Sequence, residues 1–134
     1  MSTRLAIALR WFALLLLCSA YLQGGFNKAT DFPGAVAEMT HFGLRPAWLM
    51  AALVIALEWG ASAKVLTGIY RWWGALALAA FTLAATFMAQ RFWALPPTER
   101  FMAANTFFEH LGLVGGFLLV AWHDWPHRAG EPTR

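Results

Sequence analysis

The stretch AWLMAALVIALEWGASAKVLTG, residues 47–68, is almost entirely apolar and carries Glu58 near its middle. Roughly 20 such residues cross the hydrocarbon core of a bilayer as an α-helix. A charged side chain at that depth costs roughly 2.5 to 3.5 kcal/mol on insertion scales, and such residues usually face a bundle interior or a wet cavity. We therefore expect Glu58 to have a partner or a functional role inside a membrane helix bundle.

The composition extends this prediction to the whole chain. Of 134 residues, 60% are hydrophobic, 13% are charged and 8 are Trp, which indicates an integral membrane protein. Hydropathy predicts four spans in a single transmembrane domain, at residues 5–25, 47–69, 72–92 and 103–122, and a flexible C-terminal tail at 123–134. Arg10 interrupts the first apolar run, which favours an uncleaved helix over a secretory signal. The predicted fold is an all-α bundle of four transmembrane helices.

The longest connection lies between the first two spans and has its own helical pattern. Its segment DFPGAVAEMTHFG, residues 31–43, offers Asp31 as an N-cap before Pro33. Val36, Met39 and Phe42 follow at helical spacing on one side. We predict a short interfacial helix in this first loop.

The basic residues are spread over segment ends and short loops without forming a basic stripe. The net charge of +3 therefore indicates topology signals and lipid headgroup contacts, and no nucleic acid partner is expected. Basic residues in the flanks and loops are equal in number on the two sides of the membrane. Arg10 and Lys64 add two positive charges to the side that carries both chain termini, whereas the acidic residues Asp31, Glu38 and Glu99 lie on the opposite side. This distribution favours both termini in the cytoplasm.

Cysteine and histidine chemistry is limited by the sequence. Cys18 is the only cysteine, so neither an internal disulfide nor a CxxC redox pair can form. His123 and His127 have the spacing of a metal pair, but Pro126 lies between them in a flanking segment. We interpret them as surface histidines and predict no metal site.

Several polar residues are predicted to share the outer half of the membrane: Gln23, Lys28, Gln90, Arg91, Asn105, Glu109 and His110. Glu58 points toward them from mid-membrane. We predict a polar pocket open to the outer face, formed by Gln23, Lys28, Gln90 and Asn105, with Glu58, Glu109 and His110 as candidate catalytic residues. The alternative is that these groups only join helices to one another.

The fourth span carries a distinctive face. Asn105, Glu109, Gly112 and Gly116 recur there at helical spacing, and the two glycines form a GxxxG pair that predicts close helix packing.

A structural ion pair is predicted between Arg10 and Glu58. At 1.5 Å per residue they lie roughly 8 Å and roughly 15 Å from the same membrane edge, a difference that an extended arginine can bridge. Leaving either charge unpaired in a low dielectric would cost several kcal/mol. Lys64 projects from a different face and is expected to reach the headgroups.

Short signatures in the right order make the chain resemble the DoxX family of small bacterial membrane proteins over residues 10–122. The first helix has Arg10 near its start and closes with GGFNK, residues 24–28. The second helix carries the glutamate and glycine pattern of the family before a basic turn, at Glu58, Gly60, Leu66, Gly68 and Arg71. The fourth contains LGLVGGFLL, residues 111–119, but His110 stands where the family often has asparagine.

The resemblance implies a multi-pass protein of the bacterial inner membrane that is associated with redox processes, since some relatives are subunits of a thiosulfate to quinone oxidoreductase. We therefore predict an accessory or quinone-interacting subunit of a membrane redox system, with a membrane quinone as cofactor and membrane or periplasmic redox proteins, or a second copy, as partners. The chain has no CxxC, nucleotide or haem attachment motif, so it is not expected to complete a redox cycle alone. The alternatives are a non-enzymatic scaffold for a larger complex, or a small transporter or proton path.

Overall fold

The computed structural model describes residues 2–126, and they are mainly helical. The helices are α1 (Thr3–Thr30), α2 (Phe32–His41), α3 (Ala47–Thr67), α4 (Arg71–Ala89), a short 3-10 helix (Phe92–Ala94) and α5 (Pro97–His123). Four segments are long and apolar enough to cross a membrane, namely Thr3–Thr30, Ala47–Thr67, Arg71–Ala94 and Pro97–His123. The predicted all-α membrane fold is confirmed. Residues 127–134 of the predicted tail, including His127, lie outside the described part of the chain.

Two helices extend beyond the predicted spans. α1 continues to Thr30, and α5 begins at Pro97, well before residue 103. Proline suits the first position of a helix because the amide hydrogen it lacks would have no intrahelical partner there. Pro97 can therefore begin α5, and the polar residues that follow it belong to the helix.

The predicted short helix is present as α2. The side chain of Asp31 accepts a hydrogen bond from the Gly34 amide at 3.1 Å, which caps the helix. Ala35 and Met39 are buried and pack in one cluster with Ala51 of α3. α2 therefore lies against the bundle through a narrow apolar side.

Glycine is required at two positions where α3 meets α4, one in the connecting turn and one in the first turn of α4. Gly68 ends α3 in the left-handed conformation, with φ of 85°, and its amide donates to the Lys64 carbonyl. At Gly74 a Cβ atom would lie 2.6 Å from the Ala61 carbonyl oxygen. Only a residue without a side chain lets the two helices approach this closely.

The core is shared by all four long helices. α3 lies between α1 and α4, and α5 packs mainly on α4, so α1 and α5 have little contact. Two indole groups fix the register of α1 and α3: Trp11 Nε1 donates to the Leu66 carbonyl at 3.3 Å, and Trp59 Nε1 donates to the Leu22 carbonyl at 3.2 Å. The main buried cluster consists of Leu14, Cys18, Tyr21, Ala61, Val65, Ala75, Leu78, Ala79, Phe117 and Ala121.

Candidate functional site

A cavity of about 590 Å³ lies toward the α2 end of the bundle and has walls from α1, α2, α3, α4 and α5. Most of its lining is apolar and includes Leu53, Leu57, Phe81 and Met88. Its polar lining residues are Tyr21, Lys28, Glu38, Glu58, Thr82, Gln90 and His110. An apolar cavity with a few convergent polar groups is the usual form of a small-molecule site.

An ion pair between α1 and α3 forms one wall of this cavity. Lys28 Nζ lies 3.1 Å from Glu58 Oε1, and Glu58 is only 4% exposed. The contact has the distance of an ion pair, but Oε1 has no partner with hydrogen-bond geometry among the described residues. Glu58 therefore keeps capacity to accept a further hydrogen bond.

The pairing of Glu58 corrects the predicted Arg10–Glu58 bridge. The Trp11 to Leu66 bond places Arg10 beside the last turn of α3, more than two helical turns from Glu58. Side chains on a helix also tilt toward its N-terminus, which for α3 is the α2 end. The carboxylate therefore reaches toward Lys28 and away from Arg10.

Two glycines of α1 provide the space for this arrangement. A Cβ atom on Gly24 would lie 2.6 Å from Glu58 Oε2, and one on Gly25 would lie 2.4 Å from Trp59 Nε1. Contacts under 3 Å cannot be accommodated without movement. The GG of the GGFNK segment thus allows α3 to place both side chains against α1.

A hydrogen-bonded series crosses the opposite wall from α1 through α4 to α5. The Thr82 hydroxyl donates to the Leu78 carbonyl at 2.7 Å, so the Tyr21 hydroxyl donates to Thr82. The Thr86 hydroxyl likewise donates to the Thr82 carbonyl at 2.6 Å. These bonds tie the phenol of α1 to the α4 backbone.

The hydrogen bonds of Thr86 determine the tautomer of His110. Its Nδ1 lies 3.0 Å from Thr86 Oγ1, whose only proton is already donated to the Thr82 carbonyl. Nδ1 therefore donates to Thr86, and in the neutral ring Nε2 carries the lone pair. His110 also lines the cavity, so it can offer Nε2 as an acceptor or, when charged, as a proton donor.

The structure divides the predicted site residues into two groups. Those that line the cavity are Lys28, Glu58, Gln90 and His110. Those that are exposed on the outside of the bundle are Gln23, Asn105 and Glu109. Within the described residues, the predicted pocket is therefore smaller and lies between the helices.

The glycine pair on α5 does not pack as a unit. A Cβ atom on Gly112 would meet nothing within 4 Å, whereas one on Gly116 would lie 3.1 Å from Leu17 Cδ1 of α1. Only Gly116 therefore serves a helix contact within the described chain.

Sequence reasoning missed Tyr21, Glu38 and Thr82. Tyr21 could have been found, because it lies one and two turns before Gly24 and Lys28 on the same face of α1. Thr82 gives no such signal, since isolated hydroxyl residues are common in membrane helices.

One comparison with known proteins identifies a relationship. A sequence model of the DoxX family matches residues 6–91, which is well over half of the chain. The match includes α1 from residue 6 onward and all of α2, α3 and α4, and therefore both members of the Lys28–Glu58 pair. No curated protein and no solved structure matches the chain.

Proposed function

Since this chain belongs to the DoxX family, we propose that its cavity binds the head group of a membrane quinone and that the protein is an accessory subunit of a membrane redox system. The observation that carries the proposal is the placement of the Lys28–Glu58 pair and His110 around one largely apolar cavity. We further propose that the protein lies in the bacterial inner membrane with both termini in the cytoplasm.

The polar residues match the chemistry of a quinone head. Its two carbonyl oxygens accept hydrogen bonds, and Lys28 and a protonated His110 are donors on different helices. Reduction to the hydroquinone consumes two electrons and two protons. We assign the electrons to a partner redox protein and the two protons to Glu58 and His110, which give them up on reduction from the carboxylic acid and imidazolium forms and take them back when the hydroquinone is oxidised.

The apolar lining suits the rest of such a molecule. Leu53, Leu57 and Met88 lie on the same cavity as the polar groups. An isoprenoid chain can pack against these side chains, because its transfer from lipid to an apolar cavity costs little free energy. An amphiphile with a polar ring and an apolar tail fits this cavity better than a wholly polar solute.

We expect His110→Ala to weaken quinone binding roughly tenfold, because one hydrogen bond to the head group is lost. The measurement is a titration of the purified protein with a short-chain ubiquinone analogue, followed by tryptophan fluorescence. Glu109→Gln is the matched control, since its side chain is the next one on α5 but does not line the cavity. Equal affinities for the two variants would contradict the assignment of His110.

The scaffold alternative is favoured by one specific observation on α5. Asn105, Glu109 and Gly112 form an exposed face, and Glu109 lies near the middle of the helix. The described residues provide no ion-pair partner for this carboxylate. A carboxylate on a lipid-facing surface is costly, so a neighbouring membrane helix that donates hydrogen bonds to it would stabilise the face.

We expect Gly112→Leu to weaken such an assembly roughly tenfold, because the larger side chain prevents close approach of the neighbouring helix. The fold of the single chain should persist, since a Cβ atom at this position meets nothing within 4 Å. The yield of the cross-linked complex in native membranes measures the effect. Gly60→Leu is the control, because Gly60 is equally open but lies on α3. Unchanged cross-linking in Gly112→Leu would exclude this face from the interface.

A further inference from the structure

A second cavity lies at the other end of the bundle, between α1 and α5. Its volume is about 540 Å³, and it opens where these two helices make little contact. Ala13 and Leu17 of α1 form one apolar side, and Leu119 of α5 forms part of the other. Its polar end is lined by Arg10, His123 and Asp124. The cavity is therefore a groove with a charged end and an apolar trough.

The charged end carries an excess of positive charge. Asp124 Oδ1 lies 4.0 Å from Arg71 Nη1, and Arg71 Nε donates to the Val65 carbonyl at 2.7 Å. Arg10 has no ion-pair partner among residues 2–126, and its charge repels that of Arg71. Asp124 is thus paired with Arg71, which leaves Arg10 available to an anion.

The depth of Arg10 matches the level of lipid headgroups. The indole of the neighbouring Trp11 donates to the carbonyl of Leu66, which lies two residues before Gly68 at the turn between α3 and α4. α1 begins at Thr3 and so continues beyond this level. Trp72 packs against Trp73 and Trp125 at the same end, in the manner of an interfacial aromatic belt. A guanidinium at this depth can contact the lipid phosphates of the leaflet at this end of the bundle.

The trough has a definite end. A Cβ atom on Gly116 would lie 3.1 Å from Leu17 Cδ1, so α5 touches α1 two turns along from Asp124. Between this contact and Arg10 the lining is apolar. The occupant that fits this groove therefore combines a negative head group with a narrow apolar chain, as a phospholipid does.

We propose that this groove binds an anionic phospholipid, with the phosphate on Arg10 and an acyl chain between Leu17 and Leu119. Basic pockets between transmembrane helices are a recognised form of headgroup site. A guanidinium can donate two parallel hydrogen bonds to a pair of phosphate oxygens, whereas a lysine ammonium acts as a point charge. This site is separate from the cavity at Glu58 and does not depend on the quinone proposal.

The test is native mass spectrometry of the full chain extracted in mild detergent and supplied with phosphatidylglycerol or phosphatidylethanolamine. The unmodified protein should retain phosphatidylglycerol roughly tenfold better than Arg10→Gln does, because a charge-assisted hydrogen bond is lost. Arg4→Gln is the matched control, since Arg4 is also exposed on α1 but does not line the groove. It should retain the lipid as well as the unmodified protein.

A second variant examines the apolar trough. Ala13→Phe should reduce lipid retention by a similar factor by filling the space for the chain, while Arg10 is unchanged. Thermal melting of each variant establishes that it is folded. Equal retention by Arg10→Gln and Arg4→Gln, no preference for the anionic lipid, or release of the lipid by inorganic phosphate alone would each overturn the proposal.

Discussion

Replacing Glu58 with glutamine is expected to lower the free energy of unfolding by about 3 kcal/mol, the usual effect of removing one member of a buried ion pair. The glutamine leaves the Lys28 ammonium, whose side chain is 18% exposed, without its counter-ion. Glutamine and glutamate have nearly the same size, so the loss of stability comes from removing the charge and not from creating a cavity. Thermal melting and unfolding by a denaturing detergent, both in one lipid-like environment, measure it. The same variant should lose most quinone affinity if the cavity is the binding site.

Double variants identify the partner of Glu58. Lys28→Gln combined with Glu58→Gln should recover at least about 1 kcal/mol relative to the sum of the single changes, because residues in direct contact are coupled. Arg10→Gln combined with Glu58→Gln should be additive, since the structure places Arg10 beside Leu66 and not beside the carboxylate. Coupling to Arg10 without coupling to Lys28 would show that Arg10, and not Lys28, is the partner of the carboxylate.

The second large effect is expected at Gly74. In Gly74→Ala the new methyl group would lie 2.6 Å from the Ala61 carbonyl oxygen and 2.8 Å from Lys64 Cβ. Neither is the free end of a flexible side chain, so α3 and α4 must separate. We expect a loss of about 2 kcal/mol in the free energy of unfolding, as for other overpacked contacts. The midpoint of thermal melting gives the direction and size of this change.

Gly60→Ala is the matched control for that experiment. Gly60 also lies in a membrane helix, but a Cβ atom there meets nothing within 4 Å. Alanine has the higher helix propensity, so this variant should be neutral or more stable by up to about 1 kcal/mol. A similar loss in both variants would mean that glycine matters through backbone flexibility and not through the α3–α4 contact.

Much of the fold was predictable because membrane helices are governed by length and hydropathy. The four spanning segments are present, and α2 was predicted from the cap at Asp31 and the spacing of Val36 and Met39. Both signals are local, so they can be read without knowing which helices are neighbours. The extension of α5 back to Pro97 was missed because the hydropathy of its first turns is low.

The site was predictable only in part. A lone carboxylate in an apolar stretch identified Glu58, but its partner depends on the register of α1 against α3 and on the direction of side chains along α3. The sequence pattern likewise placed Asn105, Glu109 and Gly112 on one helix face, which the structure preserves. It did not indicate that this face points outward, because the rotation of α5 is set by packing against α4.

Burial of the only cysteine has a practical consequence for labelling. Cys18 is fully buried in the main core cluster. Maleimide reagents should therefore leave the folded protein unmodified while reacting with a cysteine introduced at an exposed position. Spin labels or fluorophores can be attached at single chosen sites in the natural sequence, without first removing Cys18 and the packing it contributes.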